Sequence, residues 1–236
     1  MFTGIVEDMG TVVGWTESGK DGGWILKISP DHPDLFFKDS TALTYLGASI
    51  CVSGVCLTVV AFDDQSLEFG VAPETVRRTN FGDFVQSQSR VNLERASLAS
   101  GRNSGHYVQG HVDGFGIVTK RVVEKDSVWL TIQTPVDLMP GIVPKGFICV
   151  EGTSLTVCEV GANWFTLMMI DHTQQHVVTK LEHTKVNLEL DVMSKYASSA
   201  TSELRQRVVE LESLVGKLEA RLAEVEQQHA VKRVKQ

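Results

Sequence analysis

One stretch of this sequence occurs twice. Residues 51–59 read CVSGVCLTV and residues 149–157 read CVEGTSLTV, so six of the nine positions are identical. Two further matches follow the same order: TGIVEDMGTV from Thr3 recurs as QGHVDGFGIV from Gln109, and VNLE occurs at 91–94 and again at 186–189. Self-similarity at a nearly constant offset marks a duplicated structural unit. We therefore expect two copies of one domain of roughly a hundred residues, followed by a tail.

The acidic composition limits the classes of partner. The 236 residues contain 22 Lys and Arg against 29 Asp and Glu, a formal net charge of −7 at pH 7. Proteins that bind nucleic acid usually carry a basic surface that neutralises phosphates, so we expect a small-molecule or protein partner and no nucleic acid. No apolar run approaches the ~20 residues that cross a bilayer, and Glu7 and Asp8 lie where a signal peptide would be basic and then apolar. We expect no membrane segment and a cytoplasmic location.

Each copy is predicted to be a small antiparallel β-barrel. Short runs rich in β-branched residues are separated by Gly, Pro and Asn, which is typical of such barrels. The predicted strands are 2–13, 24–28, the two arms of a hairpin over 46–61, 67–72 and 91–95 in the first copy, with 165–170 and 186–190 in the second. Residues 97–105 are small and polar and are predicted to link the copies. The predicted domains are 1–105 and 106–196.

The repeated stretch is predicted to be the hairpin. Its tips would be Ser53-Gly54 in the first copy and Glu151-Gly152 in the second. Glycine adopts the positive φ that a tight hairpin turn requires. Both copies are therefore expected to turn at the same place.

Alternation past the tip assigns the faces of the second arm. Side chains on a strand point to opposite sides by turns, so the apolar residues at 57 and 59 take the core, and Cys56 and Thr58 share the other face. In the second copy Ser154 and Thr156 occupy these places. Each half is expected to present a small nucleophilic or hydrogen-bonding pair.

The cysteines and histidines do not predict a metal site. Cys51, Cys56, Cys149 and Cys158 lie within strand-like runs and form no C-x-x-C pair, so we expect reduced thiols. His106 has no Cys or carboxylate partners at a zinc-like spacing, and the same holds for His111. We expect no metal ion and no cofactor.

A short helix is predicted directly after strand 67–72 in the first copy and after strand 165–170 in the second. Pro73-Glu74-Thr75 suits a first helical turn, because proline has the right φ and an acidic side chain is favourable there. The second copy has Asp171-His172-Thr173 at this place.

Residues 197–236 are predicted to form a coiled-coil helix. Apolar residues recur at alternating spacings of four and three: Leu204, Val208, Leu211, Val215, Leu218, Leu222 and Val225. In a parallel assembly Arg207 would face Glu212 of a second chain and Arg221 would face Glu226, pairs of opposite charge that favour an in-register homo-oligomer. Valine at a with leucine at d favours two strands, whereas Val209 and Leu214 widen the apolar stripe. The heptads alone leave dimer and trimer open.

Several motifs on this duplicated frame resemble the riboflavin synthase family: MFTGIV, GVCLTV, PETVRRTN, GHYVQGHVDG and KGFICVEGTSLTV, followed by a terminal helix. The resemblance covers residues 1 to about 196. It implies a transferase with two tandem six-stranded Greek-key barrels, assembled as a homotrimer whose reactive site lies between barrels of different subunits. The implied reaction is a dismutation of two molecules of 6,7-dimethyl-8-ribityllumazine, in which a four-carbon unit passes from one to the other. The products are riboflavin and 5-amino-6-(D-ribitylamino)pyrimidinedione, and neither a metal nor a redox cofactor takes part.

Matched motif to motif, the resemblance implies two lumazine pockets. The first would comprise Gly4, Ile5, Val6, Cys56, Leu57, Thr58, Gly70, Val71, Ala72, Pro73, Glu74 and Thr75, with Gly110, His111, Val112 and Lys145 at the junction. The second would comprise Ser154, Leu155, Thr156, Met168, Met169, Ile170, Asp171, His172 and Thr173. Phe2 and Ser49 complete the predicted ligand contacts.

Four of these residues are the catalytic candidates. His111 suits the removal of a proton from the C7 methyl group of one lumazine, since imidazole titrates near working pH. Cys56 is a candidate nucleophile toward C7 of the other. Ser154 and Thr156 are expected to hold or polarise the second ring.

Each assignment has a structural alternative. Cys56 could be a small core residue beside a turn, and Ser154 with Thr156 could be cross-strand hydrogen-bonding residues. His106 is interpreted as a structural partner and not as a base. Phe2 is expected to plug a barrel end with some ligand contact.

Two features depart from the family pattern. Asp171-His172-Thr173 replaces a Pro-Glu-Thr start in the second copy, and the tail is longer than a short trimer helix. The alternative function is a non-catalytic lumazine- or flavin-binding protein of the bioluminescence antenna type. Reactive groups in both halves favour the enzyme.

Overall fold

The computed structural model describes residues 1–19, 22–38, 44–84, 88–178 and 182–234, without the side chains at 83–84, 202–203, 205 and 224–234. The chain divides into two compact units, residues 1–194 and 195–236. No helix within these described ranges is long and apolar enough to cross a membrane.

The first unit contains two closed antiparallel barrels. The N-terminal barrel has six strands in the order β1-β2-β5-β4-β3-β6: β1 (Asp8–Glu17), β2 (Trp24–Pro30), β3 (Ser49–Val52), β4 (Val55–Phe62), β5 (Leu67–Val71) and β6 (Arg90–Arg95). The C-terminal barrel repeats this order with β7 (Gly114–Glu124), β8 (Ser127–Gln133), β9 (Phe147–Val150), β10 (Thr153–Val160), β11 (Trp164–Met169) and β12 (Lys185–Leu190). The predicted fold class, two six-stranded barrels and a C-terminal helix, is confirmed.

Short helices join the strands. They are α1 (Pro33–Phe37), α2 (Pro73–Arg78), α3 (Phe81–Phe84) and α4 (Asp171–His176), with a 3₁₀ turn at Val136–Gly141. The predicted starts of α2 at Pro73 and of α4 at Asp171 are confirmed. Residues 97–105 contain no helix or strand.

Period-two alternation builds each core. In β4, Leu57 and Val59 are buried, whereas Thr58 between them is exposed and Cys56 is only partly buried. Side chains from all six strands of a barrel meet inside it in this way. Burial of apolar area, worth roughly 25 cal/mol per Å², therefore stabilises each barrel separately.

Two local predictions from the sequence are wrong. The strand expected at 2–13 begins only at Asp8, because the backbone of Phe2 instead forms an isolated bridge with Val108. Helix α1 was missed: it lies between the predicted strand 24–28 and the hairpin over 46–61, where Ser29, Pro30 and Pro33 are typical of a turn. Pro33 opens this helix and Phe36 anchors it in the core.

The second unit is helical. Helix α5 spans Val192–Val234, so it begins before the change in composition after Tyr196. Six predicted seam residues are exposed in the single chain: Leu204, Val208, Leu211, Val215, Leu218 and Leu222. The side chains of Val225 and Glu226 lie outside the described residues.

Candidate functional site

Both hairpins carry a polar pair on the same face. Cys56 and Thr58 lie on β4 opposite Cys51 and Ser49 of β3. Ser154 and Thr156 lie on β10 opposite Cys149 and Phe147 of β9. The predicted placement of the two pairs is confirmed, and the partner strands differ by Ser49 in one barrel and Phe147 in the other.

The two hairpin turns meet back to back. Ser53 and Gly54 have φ values of 44° and 87°, and Glu151 and Gly152 have 51° and 81°, so both turns are left-handed at both central residues. A Cβ on Gly54 would lie 2.9 Å from the backbone nitrogen of Gly152. Glycine is required here by the close approach of the barrels as well as by φ.

Part of each barrel's leading segment, residues 1–6 or 106–112, contacts the other barrel. The backbone N–H of Cys56 donates to the carbonyl of Gly110 at 2.9 Å, and the N–H of Ser154 donates to the carbonyl of Gly4 at 2.7 Å. Val112 packs against the core of the N-terminal barrel, and Val6 against that of the C-terminal barrel. The two copies have exchanged these segments across their interface.

This exchange corrects the predicted grouping of the pockets. Gly4, Ile5 and Val6 were assigned beside Cys56, but within the chain they lie beside Ser154. The residues Gly110 to Val112 lie beside Cys56. The prediction failed because sequence order suggests that a segment stays with the barrel that follows it, whereas here the interface decides.

Buried carboxylates at the ends of the VNLE motifs hold the leading segments. Glu94 accepts hydrogen bonds from the backbone N–H groups of Thr3 (2.6 Å) and Gly4 (3.0 Å) and from the Thr3 hydroxyl (2.8 Å). Glu189 accepts from the N–H groups of Gln109, Gly110 and His111 at 2.7–3.0 Å. Burial raises the pKa of the Glu94 carboxyl to about 7, and the hydrogen bonds from Thr3 and Gly4 oppose that shift.

The asparagines of the same motifs join the barrels. The Asn92 amide donates to the carbonyl of Glu151 at 2.9 Å, and the Asn187 amide donates to the carbonyl of Ser53 at 2.9 Å. Each asparagine therefore binds the hairpin tip of the opposite barrel. Sequence reasoning noted the repeated VNLE but did not assign this role to it.

Ser154 has a buried histidine partner. Nδ1 of His106 lies 2.7 Å from the Ser154 hydroxyl, and the imidazole stacks on Phe147 with ring centroids 5.2 Å apart. Burial lowers the pKa of the His106 imidazole, so the ring is neutral near pH 7. Its Nε2 is buried and has no hydrogen-bond partner within the described part of the chain. The prediction that His106 is a structural partner agrees with this contact, which no spacing in the sequence indicated.

Two of the other cysteines lie at the interface of the barrels. Cys51 and Cys149 pair directly with Cys56 and Ser154 across their hairpins and are buried with Phe2 and Val108 in a small cluster between the barrels. Burial raises the pKa of both thiols well above the ordinary value. Cys56 borders this cluster and is only partly buried, as is Cys158 on β10.

Lys145 and His111 are both exposed. Lys145 is exposed, and its φ of 66° is left-handed, where the first copy has Gly47 with a φ of 88°. Both residues donate their N–H to the matching strand carbonyl, Lys145 to Val157 and Gly47 to Val59. A non-glycine residue in this conformation is energetically costly, which suggests that the lysine side chain has a functional role.

Helices α2 and α4 carry different side chains at matching positions. Glu74 accepts hydrogen bonds from Arg78 (2.9 Å) and Arg77 (2.7 Å), which lower the pKa of its carboxyl. In α4, His172 and His176 take the places of Glu74 and Arg78, and their ring centroids are 4.2 Å apart.

Several predicted contact residues are buried in the single chain. The side chains of Leu57, Val71 and Met169 lie in the barrel cores, and Phe2 lies in the small cluster between the barrels. Gly4 and Gly110 are also buried. The predicted contact residues that are partly or fully exposed are Ile5, Val6, Ser49, Cys56, Thr58, Gly70, Ala72, Pro73, Glu74, Thr75, His111, Val112, Lys145, Ser154, Leu155, Thr156, Met168, Ile170, Asp171, His172 and Thr173.

A separate groove of about 700 Å³ runs over the outside of the C-terminal barrel. Trp129, Trp164, Thr131 and Gln133 are among its lining residues. None of the predicted site residues lines it. Across the described ranges, no group of three or more His, Cys, Asp or Glu side chains is placed to hold a metal ion.

Both halves of the chain match one known family of domains. The family model described as the lumazine binding domain matches twice, over residues 3–96 and 109–191. The riboflavin synthase of Saccharomyces cerevisiae is 37% identical over 231 residues, covering 94% of this chain and 92% of the yeast protein. That of Bacillus subtilis is 36% identical over 198 residues, covering 83% and 87%.

Solved structures share the fold. LumP complexed with 6,7-dimethyl-8-(1'-D-ribityl) lumazine aligns with a TM-score of 0.68 at 22% identity, over 80% of this chain and 99% of that one. LumP complexed with riboflavin aligns with a TM-score of 0.66 at 23% identity over the same shares. At these identities the likeness concerns the arrangement of the two barrels.

Proposed function

The chain belongs to the riboflavin synthase family, and on that premise we propose that it catalyses the dismutation of two 6,7-dimethyl-8-ribityllumazine molecules. One molecule donates a four-carbon unit to the other, which gives riboflavin and 5-amino-6-(D-ribitylamino)pyrimidinedione. The enzyme is a transferase of riboflavin biosynthesis.

The observation that carries the proposal is the pair of matched polar faces. The reaction consumes two copies of one molecule, and the chain offers two copies of one site, Cys56 with Thr58 and Ser154 with Thr156. A binding protein for a single chromophore has no use for reactive side chains in both barrels. The duplication therefore supports an enzyme that holds two like substrates.

The two sites are proposed to act differently. Cys56 is the candidate nucleophile that adds to C7 of its lumazine, because a thiol ionises several pKa units below a hydroxyl. Ser154, fixed by His106 at 2.7 Å, orients and polarises the second ring together with Thr156. His111, exposed on the leading segment beside Cys56, is the candidate base for the C7 methyl proton.

The active assembly is proposed to be a homotrimer. The apolar seam of α5 is exposed in the single chain, and burying such a stripe between parallel copies stabilises a coiled coil. We further propose that the two lumazines meet between the N-terminal barrel of one subunit and the C-terminal barrel of the next. A cytoplasmic location remains a prediction.

The test is incubation of the purified protein with the lumazine alone. The family reaction predicts riboflavin without added metal, reductant or second substrate. The alternative, a non-catalytic lumazine- or flavin-binding protein, predicts that bound lumazine is released unchanged. LumP supports this alternative only through its fold, whereas the relatives at 36–39% identity are riboflavin synthases.

A further inference from the structure

We propose that His172 and His176 form a binding site for one divalent transition-metal ion, such as Zn²⁺ or Ni²⁺, on the exposed face of α4. His172 is also among the predicted contacts of the second lumazine pocket, whereas His176 is not. The prediction of no metal site rested on His106 and His111 and did not consider these two residues.

The spacing places both imidazoles on one face. Residues four apart on a helix are neighbours on its surface, and the His172 and His176 ring centroids are 4.2 Å apart with the rings tilted by 34°. Two histidines at this spacing on one helix supply two of the zinc ligands in metalloproteases. The two imidazoles of α4 therefore lie side by side on one face of the helix, as such a pair of ligands requires.

A hydrogen bond prepares one ring for coordination. Nδ1 of His176 lies 2.7 Å from the carbonyl oxygen of His172. A carbonyl only accepts, so Nδ1 is the donor, and in the neutral imidazole this leaves the lone pair on Nε2. Metal-binding histidines commonly donate their other ring N–H to a backbone carbonyl in this way, which fixes the tautomer and the ring orientation.

The duplicated chain provides an internal comparison. The positions matching His172 and His176 in α2 are Glu74 and Arg78, which form an ion pair at 2.9 Å. The side chains at the two positions contact each other in both helices, but only the second copy has an imidazole at each of them. The pair in α4 thus replaces an ion pair with a chelating pair of the same spacing.

The ion would be weakly held and exchangeable. Both histidines are exposed, so an ion can enter from solvent, and water would complete its coordination. The nearby Asp171 carboxylate is hydrogen bonded to the Gln175 amide at 2.7 Å. A two-histidine site is therefore expected to bind far less tightly than a four-ligand structural zinc site.

Isothermal titration calorimetry of tag-free protein with ZnCl₂ or NiCl₂ tests the site. One ion per chain is expected, with at least about a ten-fold loss of affinity in His172→Gln and in His176→Gln. The matched control is His32→Gln, because His32 is an exposed histidine engaged with Asp8 at 2.8 Å; its affinity for the ion should equal that of the wild type. Circular dichroism checks that the variants fold.

A gain-of-site variant sharpens the test. Glu74→His combined with Arg78→His gives α2 the same pair, and the expected stoichiometry rises to two ions per chain. Absence of saturable binding in the wild type, unchanged affinity in both glutamine variants, or a stoichiometry that stays at one in the double variant would each contradict the proposal. Because no lumazine is present, these results are independent of the proposed reaction.

Discussion

At the scale of single residues, the two barrels differ in one side chain within an otherwise matching backbone environment: Cys56 in β4 and Ser154 in β10. Cys56 and Ser154 both follow a tight turn and both donate their N–H to a glycine carbonyl of the exchanged segment. Only Ser154 is paired with an imidazole, His106, which is neutral because burial lowers its pKa. The proposed difference in chemistry between the two sites therefore rests on one thiol and one hydroxyl that is hydrogen bonded to an imidazole.

We predict that Ser154→Ala lowers turnover roughly 100-fold, the range expected for loss of a positioned polar group in proton transfer or polarisation. Cys56→Ser should lower turnover as well, with lumazine affinity at its own site nearly unchanged. Ser154→Ala should also weaken lumazine binding in the C-terminal barrel. Steady-state kinetics and equilibrium fluorescence titration measure the two effects separately.

Cys158→Ser is the matched control for these variants, because Cys158 lies on β10 two positions beyond Thr156. It should retain wild-type turnover. Full activity in both Cys56→Ser and Ser154→Ala would mean that these residues only pack beside their turns, and catalysis would then depend on His111 and on the positioning of two substrates.

Glu94 should make the free energy of unfolding depend on pH. Its folded pKa of about 7 lies above the ordinary value of 4.5, so the folded state binds more protons between these values and stability falls as pH rises through them. The contribution is present below about pH 4.5 and lost by about pH 7. It amounts to roughly 3 kcal/mol at most.

Glu94→Gln removes this titration. We expect the wild type minus Glu94→Gln difference in unfolding free energy, measured with denaturant at pH 5 and pH 7.5, to decrease toward the higher pH. A difference that is constant over this interval, or that grows with pH, would contradict the assignment.

At the scale of elements, the exchanged leading segments tie the barrels together. Gly110 has a φ of 76°, and a Cβ built on it would lie 2.7 Å from Cβ of Cys56. Gly4 repeats this relation with Ser154 at 2.7 Å. Each glycine lets a backbone approach the strand that carries the reactive side chain, so the interface and the site depend on the same contact.

Gly110→Ala should therefore lower both stability and turnover. The left-handed φ alone costs about 1 kcal/mol, and the contact with Cys56 adds an overpacking cost of about 1–3 kcal/mol. Gly22→Ala is the control, because Gly22 has a φ of 66° but nothing within 4 Å of the added Cβ. Thermal denaturation and turnover should show the larger loss in Gly110→Ala; equal losses would refute the role of the contact.

The strands and hairpins were largely predictable from the sequence. The contact of each leading segment with the other barrel was not. The hairpin tips at Gly54 and Gly152 follow from local turn chemistry, and the faces of β4 and β10 follow from alternation. The side chains that meet across the barrels, such as His106 with Ser154 and Asn187 with the carbonyl of Ser53, depend on tertiary docking. Helix α1 was missed because five residues give too short a period to recognise beside strong turn signals.

At the scale of the whole molecule, the tail carries an exposed apolar stripe that we propose mediates self-association. Its seam residues are exposed in the single chain, with Leu204 at 67% and Leu218 at 58%. Exposed apolar stripes of this length on a helix are typical of coiled-coil interfaces. The proposed homotrimer depends on covering this stripe with further copies of the same helix.

Removal of the residues after Ser202 should weaken the assembly. Analytical ultracentrifugation is expected to find a trimer for the intact protein. The truncated protein should have a larger dissociation constant, so that it is already dissociated at protein concentrations at which the intact protein is still trimeric. A truncated protein that stays trimeric with undiminished stability would place the determinant before the tail.

A pair of point variants distinguishes the contribution of the apolar a and d positions from a general effect of an added charge on helix α5. Leu211→Asp places a charge at a predicted d position, and Ser213→Asp places the same charge at a predicted outward position. The first should promote dissociation and the second should not. Equal behaviour of the two variants would show that the heptad assignment is wrong.

The proposed dismutation requires two identical substrate molecules to react on two non-identical copies of one barrel. The most direct test is the mass balance after incubation with 6,7-dimethyl-8-ribityllumazine as the sole added compound, followed by chromatography with absorbance detection. We predict that two lumazines disappear for each riboflavin formed and that one pyrimidinedione appears with it. Lumazine that is bound but recovered intact would contradict the account.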